Sequence, residues 1–305
     1  MAEGDSPTIA RRRVRMAIRE ARESVGLTQH QVAEEMEWSA SKVIRIESGD
    51  VTISVSDLRQ LLGYLRVNKA RINELATDAR IARTRAKAQA VWWQEERFRK
   101  HLSDDHRRYI EYEAEASEIR SFHLLYLPGP VQTPEYAAAL TGGWLDEDDE
   151  MPPEKIAALV EARQVRHEAL LRRAGSVKIM VIMDQSVLMR PVGGEEVFIN
   201  QLRLLIGLSD RGLVEVRMLP FALTVPIANN GSFDLMTVGA DISDGEVMYR
   251  ENGMADEIVE NRAQTARHRK RFDQLWQVAD DENDTIEFIK SRITDLEKTL
   301  SDRQS

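Results

Sequence analysis

Gly26, Thr28, Ser39 and Gly49 punctuate one stretch of this sequence so closely that only two short helices fit between them. Thr28 is an N-cap residue with Gln31 three positions on, the pattern of a capping box, and Ser39 is a second N-cap eleven residues later. Gly26 and Gly49 are stop signals, because only glycine enters the left-handed region at little cost. Val32, Ala33 and Met36 give the first of these helices an inner face, and Val43 and Ile46 give one to the second. A turn around Trp38 and Ser39 sets the pair at a steep angle, and small Ala33 lets them approach. A helix before the pair carries Val14, Ala17, Ile18, Ala21 and Val25 on one stripe. Leu58, Leu61, Leu62 and Leu65 supply a fourth helix, and a fifth runs from Asn68 through Ile72 and Leu75.

With Val43 and Ile46 turned inward, the second helix of the pair offers Ala40, Ser41, Lys42 and Arg45 outward. Those side chains suit a major groove. Arginine reaches guanine O6 and N7 bidentately, serine donates or accepts, and alanine packs on a thymine methyl. Residues Gly26 to Gly49 resemble the helix-turn-helix of the Xre and lambdoid-phage-repressor type. The resemblance covers about a fifth of the chain and implies an all-α bundle like that of the lambda repressor. It implies base contacts from Ala40, Ser41 and Arg45, and phosphate contacts from the start of the first helix of the pair, Thr28 and Gln29. It also implies an internal ion pair between Arg22 and Glu47. The run Arg11, Arg12, Arg13 and Arg15 is a candidate phosphate grip, a solvated helix face being its other reading.

The net charge of -9 argues against nucleic acid only until its distribution is considered. Residues 1 to 100 hold 19 Lys and Arg against 14 Asp and Glu; the remainder hold 23 against 37. A basic head on an acidic body fits a DNA-binding module joined to something that does not bind DNA, since only local cations displace counterions from phosphates. The absence of cysteine rules out disulfides and thiolate metal sites. No run of about 18 apolar residues and no apolar leader occurs, so a cytoplasmic protein is expected.

Four segments are expected: residues 1–77, the helix-turn-helix domain; 78–100, a helical connector; 101–280, an α/β regulatory domain; and 281–305, a C-terminal amphipathic helix. Beyond the connector, helical patterns at Tyr109 to Phe122, Pro134 to Leu140 and Pro153 to Arg173 alternate with strand-like runs at Val177 to Met183, Val214 to Leu219 and Phe233 to Thr237. The fold class is therefore α+β, an all-α bundle followed by a larger mixed α/β domain. Asp146 to Glu150 reads as an acidic loop. Ile286, Ile289, Ile293, Leu296 and Leu300 form the stripe of the tail helix, a packing or dimer element.

Within the larger domain, Leu127-Pro128-Gly129-Pro130-Val131-Gln132-Thr133-Pro134-Glu135-Tyr136-Ala137 is the most distinctive stretch. With Trp92-Trp93 before it and Arg163-Gln164 and Val165-Arg166 after it, this stretch resembles the C-terminal domain of many actinobacterial regulators of the WhiJ-like type. Val181-Ile182-Met183-Asp184-Gln185, Val216-Arg217-Met218-Leu219-Pro220-Phe221 and Gly231-Ser232-Phe233 agree with it. Pro130 and Gln185 depart from it, standing where leucine and an acidic residue are usual. The resemblance implies a small acidic partner protein encoded nearby. Gln132, Tyr136 and Arg163 are the polar candidates for a ligand or partner surface, local hydrogen bonding being the alternative. Trp92, Trp93, Trp144 and Phe221 read as core.

An enzyme is not expected. His268-x-Lys270 with Asp273 has the look of a phospholipase-D-like signature, but the aspartate is misplaced and no second copy exists. Scattered histidines and the lack of a Gly-rich phosphate loop after a strand point to neither metal nor cofactor. The reading that results is a homodimeric regulator of double-stranded operator DNA, controlled by a partner protein or small ligand. The alternative is an antitoxin-like protein that sequesters its partner and autoregulates.

Overall fold

The computed structural model describes residues 6–84, 92–142, 152–224, 231–239, 245–251 and 256–304. The chain divides into two compact units, Met1–Gln89 and Ala90–Ser305. Trp144 and the acidic stretch Asp146 to Glu150 lie outside the described residues, as do positions 85–91 of the expected connector.

The first unit is a bundle of α1 (Pro7–Ser24), α2 (Gln29–Glu35), α3 (Ala40–Ser48), α4 (Val55–Tyr64) and α5 (Lys69–Arg83). Each start is capped by a side chain: Ser6, Thr28, Ser39, Ser54 and Asn68 accept from the backbone N–H three residues on. Such caps are worth about 1 kcal/mol apiece. Val14, Ile18, Val32, Val43, Ile46, Leu58, Leu61, Leu62 and Leu75 meet in one core. Three of the turns are Schellman turns, in which the N–H groups after the helix return to its last carbonyls. Gly26 serves one of them, with Leu27 N–H on Arg22 O at 3.2 Å. The other two place Glu37 (φ 55°) and Arg66 (φ 61°) in the left-handed position where glycine is usual.

In the second unit, α6 (Glu96–Arg99) and α7 (Asp104–Glu115) precede β1 (Ala116–His123). There follow α8 (Pro134–Gly142), α9 (Pro153–Arg172), β2 (Lys178–Asp184), α10 (Gln185–Met189), α11 (Glu195–Asp210) and β3 (Glu215–Leu219). Then come β4 (Phe233–Val238), β5 (Glu246–Glu251), β6 (Asp256–Val259), α12 (Arg262–Val278) and α13 (Glu282–Gln304). The described strands form one six-stranded sheet in the order β3-β2-β1-β4-β5-β6. β1, β2 and β3 run parallel, whereas β4, β5 and β6 are joined antiparallel, so the sheet changes character at the β1–β4 seam. A bundle followed by a mixed α/β domain is the fold class expected.

Strand alternation sorts the side chains onto two faces. Phe122, Met180, Ile182, Phe233, Leu235 and Met248 pack with Phe272 and Leu275 of α12. Ser121, His123, Asp234 and Tyr249 are the opposite parity and point to the face where α7 and α9 supply their partners. The pattern Tyr109 to Phe122, expected as one helix, is corrected: the helix ends at Glu115 and the remainder is the central strand β1. The tail helix is a packing element, with Ile286, Ile289, Ile293 and Leu296 buried where α13 lies on α11 and β3. No helix among the described residues is long and apolar enough to cross a membrane.

Candidate functional site

Two places in the molecule concentrate polar side chains. The first is α3. Ser39 caps its start, and Gly49 ends it in the left-handed conformation (φ 88°). A Cβ at Gly49 would stand 2.9 Å from Cδ of Arg15, so glycine also gives that arginine its path. Arg15 Nη1 then donates to Glu47 O at 3.5 Å, placing a cation at the negative end of the helix.

Arg22 holds the other side of the same junction. Its Nε donates to Glu47 Oε1 at 2.7 Å, its Nη2 to Oε2 at 2.9 Å, and its Nη1 to Leu27 O at 2.8 Å. Gln29 Nε2 adds a bond of 2.8 Å to Glu47 Oε2. Glu47 is only 5% exposed, so this cluster fixes α3 against α1 and the start of α2. Burial alone would lower the Arg22 pKa, but the hydrogen bond and charge of Glu47 outweigh it and raise the value.

Outward from that junction α3 presents Ser41, Ile44 and Arg45, all exposed. Ile44 was missed in the sequence because a β-branched apolar residue reads as core; its spacing of three from Ser41 was the available signal. Ala40 is half-buried and packs on the core at the entry to the helix. Lys42 is turned aside: its Nζ lies 3.0 Å from Asp57 Oδ2 and 3.7 Å above the Trp38 ring. Thr28 uses its hydroxyl in the capping box.

The arginine run is partly withdrawn into the bundle. Arg12, expected at a phosphate, is instead 4% exposed, so its guanidinium is not presented to solvent. Arg13 pairs with Asp78 of α5 at 3.8 Å, and Arg11 lies beside Ile46 and Ile53 over the end of α3.

The second place is a cleft at the β1–β4 seam, about 480 Å³ including its mouth. His123 comes from the end of β1, Tyr126, Gly129 and Gln132 from the segment after it, Arg163 and Arg166 from α9, Asp234 from β4 and Tyr249 from β5. Arg166, 5% exposed, is paired bidentately with Glu113, Nε to Oε2 and Nη2 to Oε1 both at 2.7 Å. The same Nη2 donates to the Tyr109 hydroxyl at 3.0 Å, and that hydroxyl donates to Asp234 Oδ2 at 2.9 Å. Burial would lower the Arg166 pKa, yet Glu113 and Tyr109 raise it. Burial would raise the Asp234 pKa, yet hydrogen bonds from His123, Ser121 and Tyr109 hold it below the ordinary carboxylate value.

Three further groups complete the cleft. His123 Nε2 sits 3.3 Å from Asp234 Oδ1, and Nδ1 is left buried with no partner among the described residues. Gln132 donates its Nε2 to Leu127 O at 2.6 Å, which fixes the amide so that buried Oε1 lacks a partner there too. Among the described residues Arg163 Nη1 reaches the Thr141 hydroxyl at 3.4 Å and Leu159 O at 3.2 Å, and burial followed by the Arg166 charge lowers its pKa. Tyr109 and Tyr249 stack at 4.0 Å beneath these groups. Tyr249 donates to Asp256 Oδ1 at 2.7 Å, with His106 Nδ1 at 3.2 Å on its oxygen. Burial and the Arg166 charge push His106 down to about 3, with Asp256 opposing.

Of the expected ligand-surface residues, Gln132 and Arg163 line this cleft. Tyr136 does not: it is fully buried, stacks on Phe198 and receives Leu127 N–H at 3.4 Å, so it is a core residue. Phe221, expected in the core, is 64% exposed. His268 lies in α12 with Nδ1 2.8 Å from Gln264 O and its ring edge-on to Phe233.

Residues 15–75, within the first unit, match the family model described as a helix-turn-helix domain. Residues 106–291, more than half of the chain, match the domain of unknown function DUF5753, and the chain belongs to that family. Among curated proteins, none matches the sequence.

Proposed function

We propose that the protein is a sequence-specific transcription regulator that reads operator DNA with α3. The observation that carries this reading is the exposed row Ser41, Ile44 and Arg45 on a capped helix fixed from behind by Arg22, Gln29 and Glu47. Arg45 reads a guanine, Ile44 packs on a thymine methyl, and Ser41 bonds a base edge or phosphate. Gln29 keeps one amide hydrogen free of Glu47 for a phosphate at the start of α2. Lys42, held by Asp57 and Trp38, supports the surface more than it reads it. Binding as a homodimer would match two-fold half-sites to two-fold protein symmetry.

In this reading the DUF5753 domain does no chemistry of its own and controls the DNA-binding unit in response to a ligand or partner protein, as the likeness to WhiJ-type regulators implies. The buried polar cleft supports a ligand. Selecting bound fragments from random duplexes with the purified chain, followed by anisotropy titration of operator variants, tests the proposal. Arg45→Ala should lose about 1 to 3 kcal/mol of discrimination at one base pair. Equal loss on every variant would remove Arg45 from base reading.

A further inference from the structure

The cleft at the β1–β4 seam is built like a receptor with its ligand side unfilled. Three features converge there and each has a chemical meaning. Arg163 is a cation hydrogen-bonded to a hydroxyl and a carbonyl, with no carboxylate partner among the described residues. Gln132 Oε1, an acceptor, and the ring nitrogen His123 Nδ1 belong to side chains 5% and 6% exposed, and neither has a partner among the described residues. A buried polar atom left unpaired costs about 1 to 3 kcal/mol, and two on one wall are most simply explained by a molecule that pairs them.

Leu127 O holds the Gln132 amide, so Oε1 stands as an acceptor that cannot be exchanged for the NH2 without breaking that bond. His123, bonded to Asp234 through Nε2, leaves Nδ1 for the cleft. The ligand must therefore bring N–H or O–H groups to this wall and an anionic group to Arg163. Charge balance narrows the choice. Arg166 is neutralised by Glu113 and Arg250 by Glu257, while Asp234 and Glu251 remain on the lining beside Arg163. A bare anion would meet those two carboxylates; a molecule with a cationic end as well would not. The cleft opens to solvent at its mouth, so a ligand can enter it. Location agrees: ligands of open α/β sheets settle outside the carboxyl end of a strand where the sheet order changes, and His123 ends β1 at that seam.

We propose that this cleft binds a small zwitterion of the α-amino-acid class, its carboxylate on Arg163 and its ammonium on Gln132 Oε1 and His123 Nδ1. The regulatory consequence rests on reading the DUF5753 domain as the controlling unit; the binding itself does not. Gly129 forms part of the wall, and a Cβ there would stand 3.1 Å from Arg166 Nη1, pressing on that arginine.

Isothermal titration of the full chain against the twenty L-amino acids, without DNA, tests this. Each amino acid is run beside its α-hydroxy acid and its decarboxylated amine. At least one amino acid should bind, and both counterparts should bind at least tenfold more weakly. Arg163→Met should weaken the amino acid at least tenfold while leaving the weak binding of the amine unchanged, and Arg163→Lys should restore part of the loss. Gln132→Met should narrow the preference, bringing the α-hydroxy acid closer to the amino acid. If none of the twenty binds at millimolar concentration, or Arg163→Met binds as well as the parent, the proposal is overturned. Since no DNA is present, that outcome leaves the operator reading standing, and a chain that binds an amino acid but no duplex would overturn the operator reading alone.

Discussion

Glu47 joins more of the DNA-binding unit than any other single side chain described above. It takes two bonds from Arg22 and one from Gln29 at 5% exposure, while its backbone carbonyl takes Arg15. A charge-neutral Glu47→Gln variant keeps the shape but leaves the arginine only its looser, exposed pairing with Glu23 at 3.4 Å, so the unfolding midpoint of the first unit should fall. A partner stranded by such a change costs up to about 3 to 5 kcal/mol when burial is complete, and the half-open edge at Arg22 makes a smaller loss the expectation. An unchanged midpoint in a thermal melt would show that the cluster does not hold α3. Glu37 offers the opposite test. It occupies a left-handed Schellman position, where an ordinary residue costs roughly 1 kcal/mol or more relative to glycine. Glu37→Gly should therefore raise stability by about 1 kcal/mol in urea unfolding, and a decrease would mean that the Glu37 side chain holds the turn.

At the scale of elements, the short helices of the first unit were legible because each N-cap, stripe and stop agrees with its neighbours; Thr28, Ser39 and Gly49 mark their ends in the structure. Strand β1 was not legible, and the reason is physical. A central strand ordinarily reads as an apolar run, but β1 carries Glu118, Arg120, Ser121 and His123, which are tolerated because Arg120 pairs with Glu118 and Asp273 and because Asp234 accepts from Ser121 and His123. Polar partners on both faces of the sheet hide the strand: His123 at the cleft, and Glu118 and Arg120 on the side of α12. Tyr136 was placed at the surface for a related reason: a phenol beside Gln132 suggests a site, whereas its ring fills the core and its oxygen satisfies a backbone N–H. The buried cleft also predicts how the second unit responds to acid. His106 is depressed from 6.5 to about 3, so between those values the unfolded chain binds a proton that the folded chain refuses, and stability must fall as pH drops through that window. Asp234, depressed below 3.8, extends the loss to lower pH. The midpoint of the second unit should thus decline steadily from pH 6.5 downward, and His106→Gln should flatten the upper part of that decline. A midpoint independent of pH in this range would contradict the burial of a neutral imidazole.

In the function proposed for the whole molecule, the helix-turn-helix unit reads DNA and the DUF5753 unit responds to a ligand or partner. The two functions should separate under mutation: Arg45→Ala should leave the thermal midpoint of the second unit unchanged, and Arg163→Met should leave the base preference of α3 unchanged. A homodimer on DNA further predicts that selected fragments carry an inverted repeat with half-site centres one helical turn apart, about 10 base pairs, or a multiple of it. The most direct measurement is anisotropy of labelled operator variants titrated with the parent, Arg45→Ala and Gln29→Ala chains at fixed salt. The account predicts that Arg45→Ala flattens preference at a single position in each half-site while Gln29→Ala weakens every duplex alike. Parent protein that binds all duplexes equally, or Arg45→Ala that keeps the parent's base preference throughout, would contradict it.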